Sequence, residues 1–236
     1  MDKENILGVQ VSNETYDSLK EKLFGLIGTD KQAFIVAVNP EKIMKASEDP
    51  DLKKLINQAD YQIPDGIGVL LASRLQRGSI RERITGIDLM QTLVAEAAAK
   101  QKKVFMYGGK PGVADQAAEK LQAQYPDLQI AGTMNGYEKD QQKVIDTINQ
   151  ANPDVLFVAL GSPRQEEWIR DNKEKLNVSI FQGVGGSYDV IAGNLKRAPK
   201  IFIKFGLEWF YRLLAEPWRI KRQLALPKFL LKVLKR

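Results

Sequence analysis

Six short apolar runs punctuate the chain, and stretches of helical spacing separate them. The runs are Phe34 to Asn39, Tyr61 to Asp65, Val104 to Tyr107, Leu128 to Thr133, Val155 to Leu160 and Ser179 to Gln182. They are largely continuous rather than alternating, the pattern of strands buried on both faces of a parallel sheet. Ile87 to Lys100, Val113 to Gln124 and Gln165 to Leu176 carry apolar residues at helical spacing. The first of these follows Thr85 with Asp88 three positions on, a capping-box pattern. The third follows Ser162 and Pro163, where Ser suits a cap and Pro the first turn. Strand and helix in alternation predict an α/β fold with a Rossmann-like, largely parallel sheet flanked by helices.

In such sheets ligands bind beyond the carboxyl ends of the strands. Asn39, Asp65, Gly108 and Gly109, Asn135 and Gly136, Gly161 and Ser162, and Gly183 to Gly186 all fall there. Two readings fit these residues: one shared crevice, or ordinary turn chemistry. The chain has no Walker A sequence, and the stretch from Gly183 carries Tyr188 where a dinucleotide fingerprint needs its last glycine.

From Pro199 the pattern changes. Ile201, Phe202, Phe205, Trp209, Phe210 and Leu213 interleave with Lys200, Lys204 and Arg212. Pro217 and Pro227 are expected to break the segment into short helices. Twelve of the 35 Lys and Arg residues lie in residues 196–236, against two of the 29 Asp and Glu residues. The body, residues 1–195, is therefore mildly acidic, and residues 196–236 form a basic, amphipathic helical appendage. Its Trp, Phe and Leu content suits a membrane interface better than a nucleic-acid groove. A helical lid packed on the body fits the same pattern, as does pairing of subunits into a homo-oligomer. No apolar run is long enough to span a bilayer, and the polar start is not a signal peptide, so the body is expected to be cytoplasmic.

Composition narrows the chemistry. The chain has neither Cys nor His. Thiol nucleophiles, disulfides, zinc–thiolate sites and imidazole bases are excluded, so acid–base work falls to Asp, Glu, Lys or Tyr. Asp65, at a predicted strand end, is a natural general base; an Asp in a Pro-Asp-Gly turn is the plainer alternative.

Seven motifs occur in order: Val38 to Lys42, Ile63 to Gly66, Arg83 to Leu89, Tyr107 to Gly112, Asn135 to Tyr137, Leu160 to Glu166 and Gly183 to Asp189. Together they closely resemble the WecG/TagA/CpsF glycosyltransferase family, over roughly residues 5–195, with an appendage like the family's behind them. The resemblance implies inverting, metal-independent transfer with no cofactor. The donor is UDP-N-acetylmannosamine and the acceptor undecaprenyl-diphosphate N-acetylglucosamine, joined β-1,4 in wall teichoic acid linkage-unit synthesis. The site is then the cytoplasmic face of the cell membrane. It implies Asp65 as base and Arg83 as support for the leaving UDP. Asn39, Gly109, Tyr137, Gln165 and Asp189 are implied as substrate contacts, with Arg212, Arg219 and Arg222 reaching the diphosphate from the appendage. Many members carry Thr where this chain has Ala37. A relative using another UDP sugar, such as the uronic acid form, and a non-catalytic nucleotide-sugar-binding protein on the membrane remain rival readings.

Overall fold

Apolar residues at successive strand positions sort to opposite faces, and two cores result. The structure, a computed structural model, describes residues 2–199, 201–202, 210–211 and 225–235. Six parallel strands form the main sheet: β3 (Ala33–Val38), β4 (Tyr61–Pro64), β5 (Lys103–Gly108), β6 (Gln129–Met134), β7 (Val155–Ala159) and β8 (Ile180–Gly183). Their order across the sheet is β4-β3-β8-β7-β5-β6. The expected strands are thus all present, each within a residue or two of its predicted place.

On one face, Phe34, Val36, Val38, Phe105, Leu156 and Phe181 meet a layer of helices. It includes α2 (Pro40–Glu48), α3 (Pro50–Asn57), α7 (Gln141–Ala151) and α8 (Arg164–Asn172). On the other, Ala33, Ile35, Ile63, Val104, Met106 and Phe157 meet α1 (Tyr16–Phe24), α5 (Gly86–Ala99), α6 (Val113–Gln124) and α9 (Ser187–Ala192). The side-chain alternation of a strand thus feeds both layers, as a doubly wound sheet requires.

The N-terminus adds a hairpin that the sequence pattern did not single out. Lys3–Ile6 (β1) and Val9–Ser12 (β2) form an antiparallel hairpin. Leu7 and Gly8 turn it with φ of 53° and 93°, the double positive φ that a tight hairpin demands. Ser12 Oγ accepts the Gln62 N–H at 3.0 Å, satisfying a buried group on edge strand β4.

Helix ends show two further differences. Thr85 caps α5 by accepting the Asp88 N–H at 3.2 Å, but its own N–H donates to the Tyr16 hydroxyl, so the capping box is only half made. Ser162 makes no cap; α8 starts after Pro163 and ends at Asn172, with a single 3₁₀ turn following.

Helix α4 (Ile67–Leu75) follows β4, and the C-terminal α10 (Ala225–Leu234) packs on α2 and α4. Pro227 does not break α10. It sits in the first turn, where its missing N–H costs no helical bond. Phe229 and Val233 join the same core as Ile43 and Val69, while Leu231 and Leu234 point outward and are exposed. The segment's docking onto the body holds for α10. Among the described residues, no helix is long and apolar enough to cross a membrane.

Candidate active site

Helices α2 and α8 leave their strands on one face of the sheet; α6 and α9 leave theirs on the other. At the carboxyl ends of β3, β8, β7 and β5 the connections therefore diverge to opposite faces, the place where this architecture binds ligands. The same edge carries the amino ends of the helices, which present free N–H groups to anions. Gly108 has φ of 113°, and a side chain there would strike the Ala159 backbone; only glycine lets β5 run this close to the end of β7.

Asp65 follows β4 directly, half-buried, with its N–H donating to the Val38 carbonyl at 2.9 Å. Its Oδ2 accepts from the Gly86 N–H at 3.4 Å, so the carboxylate reaches the start of α5. The loop between α4 and α5 carries half-buried Arg83 to the same place. There the Ile84 N–H donates to the Pro64 carbonyl at 3.0 Å, stitching the Arg83 loop beside the Asp65 turn. Behind them, the Tyr16 phenol accepts from the Thr85 N–H at 2.9 Å. Burial raises the phenol above its ordinary 10.0. The Thr85 bond opposes that rise, and the charges of Asp88 and Asp65 add to it. Tyr16 thus stays neutral beside the carboxylates. Arg197 pairs with Asp88 at 2.6 Å, fastening the chain just beyond the body to the first turn of α5. A carboxylate in this position can take a proton from an attacking hydroxyl, and a guanidinium on the adjoining loop can meet developing phosphate charge.

A second network joins three strand ends. Lys42 Nζ, on the first turn of α2, pairs with Glu166 Oε1 of α8 at 2.7 Å. Glu166 is 1% exposed, and Lys42 is 14% exposed at its side chain. Gln165 Nε2 donates to the same carboxylate at 3.1 Å, and Gln165 Oε1 accepts the Gly185 N–H at 3.0 Å. Both ends of the Gln165 amide are thus engaged within the protein, and the residue is 5% exposed. It shapes the loop after β8. Asn39 Oδ1 caps α2 by accepting the Lys42 N–H at 2.8 Å.

On the β5 side, the Gly109 N–H donates to the Ala159 carbonyl at 2.8 Å, and its own carbonyl accepts the Gly136 N–H at 2.9 Å. Tyr137 follows, 65% exposed, with its ring free to stack on a planar ligand. Asp189 lies half-buried in the first turn of α9. Arg212, Arg219 and Arg222 lie outside the described residues. Among the described residues, no group of three or more Asp and Glu side chains stands together as a metal site.

Sequence reasoning did not find the Lys42–Glu166 pair, Tyr16 or the Asp88–Arg197 pair. The partners in the first are 124 positions apart, and no local spacing signals such a contact. Glu166 reads locally as a favoured acid in a helix's first turn.

The sequence description "Glycosyl transferase WecG/TagA/CpsF family" matches residues 4–236, appendage included. A Bacillus subtilis protein is 43% identical over 203 residues, covering 86% of this chain and 79% of its own length. A Bacillus spizizenii protein is 43% identical over 206 residues, covering 87% and 80%. Both are named N-acetylglucosaminyldiphosphoundecaprenol N-acetyl-beta-D-mannosaminyltransferase.

Proposed function

The chain belongs to the WecG/TagA/CpsF glycosyl transferase family, and from that premise we propose that it adds N-acetylmannosamine to undecaprenyl-diphosphate N-acetylglucosamine. UDP-N-acetylmannosamine is the donor, and the product is the β-1,4-linked unit on which wall teichoic acid is built. The relatives' names support the sugar and the acceptor. The observation that carries the reading is the half-buried Asp65 carboxylate at the β4 end, with Arg83 on the loop stitched beside it.

In this mechanism Asp65 takes the proton of the acceptor hydroxyl as that oxygen attacks the anomeric carbon. The glycosidic C–O bond forms as the bond to UDP breaks on the opposite face, inverting the configuration. The leaving diphosphate gains charge, and Arg83 meets it, with Arg212, Arg219 and Arg222 of the appendage as further cations. Gly109, Tyr137 and Asp189 contact the nucleotide. Asn39 and Gln165 shape the sugar–phosphate side, Gln165 chiefly by setting the Gly185 loop. No metal or cofactor is required.

The acceptor is a membrane lipid, so the protein works at the cytoplasmic face of the membrane as a peripheral protein. Outward Leu231 and Leu234 on α10, beside exposed Lys228 and Lys235, suit an anionic interface. The same apolar surface suits a second copy of the chain when lipid is absent.

The test is transfer of radiolabelled UDP-N-acetylmannosamine to a short-chain prenyl-diphosphate N-acetylglucosamine, beside a panel of other UDP sugars. Asp65→Asn should bind donor normally and lose about 10²- to 10⁴-fold in turnover, the range for one general base. Near-normal turnover by Asp65→Asn would remove it from the mechanism, and preference for a UDP-uronic acid would reassign the donor.

A further inference from the structure

Gln182 places an amide between two hydrocarbon neighbours in the middle of the sheet. In the sheet it lies between Ile35 of β3 and Phe157 of β7, both core residues, and it is 0% exposed. Its Nε2 donates to the Gly86 carbonyl at 2.7 Å, while its Oε1 has no hydrogen-bond partner. A buried acceptor without a partner lowers stability, and a hydrocarbon side chain of similar length would fill the same space without that penalty. The amide is therefore a poor stability device, and its single bond points to another use.

That bond ends on the residue that touches Asp65. The Gly86 N–H donates to Asp65 Oδ2 at 3.4 Å, and the Gly86 carbonyl accepts from Gln182. A Cβ on Gly86 would sit 3.5 Å from that of Ala37, so the peptide rests on the end of β3 between the two side chains. β4, β3 and β8 are neighbours in the sheet, and Gly86 spans them from above. The Gly86 carbonyl and N–H lie in successive peptide groups joined at one Cα, so a bond that holds the carbonyl restrains the first turn of α5 and, through that Cα, the N–H aimed at the carboxylate. We propose that Gln182 is a positioning residue for Asp65, acting through the backbone of Gly86.

The proposal rests on Asp65 being the base, and a double-mutant cycle separates the two. Full-length Gln182→Met is assayed with UDP-N-acetylmannosamine and the short-chain lipid acceptor, alone and in the Asp65→Asn background. Expected is a kcat lower by about 10-fold or more, with both KM values within about 2-fold. The melting temperature should be unchanged or higher. On the residual turnover of Asp65→Asn the same substitution should change kcat by less than about 2-fold, because the residue it serves is gone. An unchanged kcat, a loss confined to KM, or an equal loss in both backgrounds overturns the proposal. Gln182→Leu, smaller and free of overpacking, is read the same way if the Met variant folds poorly. Failure of both to fold also overturns it, since the amide would then be structural. Full turnover by Asp65→Asn removes the base itself, whatever Gln182→Met does.

Discussion

Gly68 lies in the first turn of α4, just beyond Asp65, and α10 docks directly over it. A Cβ built there would stand 2.5 Å from Leu226 Cδ1 and 2.5 Å from Pro40 Cγ. Carbon atoms pack best at about 3.5–4.0 Å, so Gly68→Ala forces a movement of about 1 Å or more. The Pro40 contact, at the start of α2, stays between α2 and α4, whereas the Leu226 contact is the one that α10 relieves by moving off. Overpacking of this kind costs about 1–3 kcal/mol. Burial of Phe229 and Val233, about 1.5–3 kcal/mol each, is what opposes undocking. The methyl group therefore shifts the docked–undocked equilibrium by roughly 5- to 150-fold without unfolding the body. Amide hydrogen exchange across α10 reads this directly, with the strands as internal control. Trimming Leu226 to Ala in the Gly68→Ala background removes one of the two clashes and should restore much of the protection. If α10 amides in Gly68→Ala exchange within about 2-fold of wild type, the packing argument is wrong.

Three more outcomes are expected. Lys42→Met should destabilise the protein by about 3–5 kcal/mol in urea unfolding, because it strands the buried Glu166 carboxylate; adding Glu166→Leu should recover most of that loss. Burial holds the Tyr188 phenol well above its ordinary 10.0, and Tyr16, Tyr61 and Tyr107 are raised for the same reason. Below pH 10 these groups are protonated folded and unfolded alike, so stability should hold there. Above it the unfolded chain loses protons first and stability should fall. Tyr188→Phe, which loses the bond from its hydroxyl to the Phe157 carbonyl, should flatten that alkaline slope. Under the proposed chemistry, EDTA should leave transfer unchanged, measured as UDP release; loss restored by added Mg²⁺ would show that guanidinium groups are not sufficient.

The main sheet was legible because strand burial on both faces writes itself as unbroken apolar runs, and because Gly, Asn and Asp at the strand ends mark the turns. The N-terminal hairpin was not. Its two strands are four residues each, and the alternation from Lys3 to Ser12 reads equally as an edge strand or a lead-in. Pro227 misled for a related reason. A proline says that no helix passes through it, yet it cannot say whether a helix begins there, which depends on α2 and α4 accepting Phe229 and Val233.

The candidate site divides along the same line. Asp65 and Arg83 could be named from residue type, strand-end position and motif order, since the chain owns no imidazole or thiol. Their surroundings came only with the fold. The Gly86 N–H on Asp65, the Lys42–Glu166 pair, the Asp88–Arg197 pair and the Gln182 amide each join segments far apart in the chain. Local pattern reports each segment's own burial and turns, so it determined the layers and the crevice edge. Which side chains meet across that edge is set by strand order and helix packing, and those arise only when the two cores close.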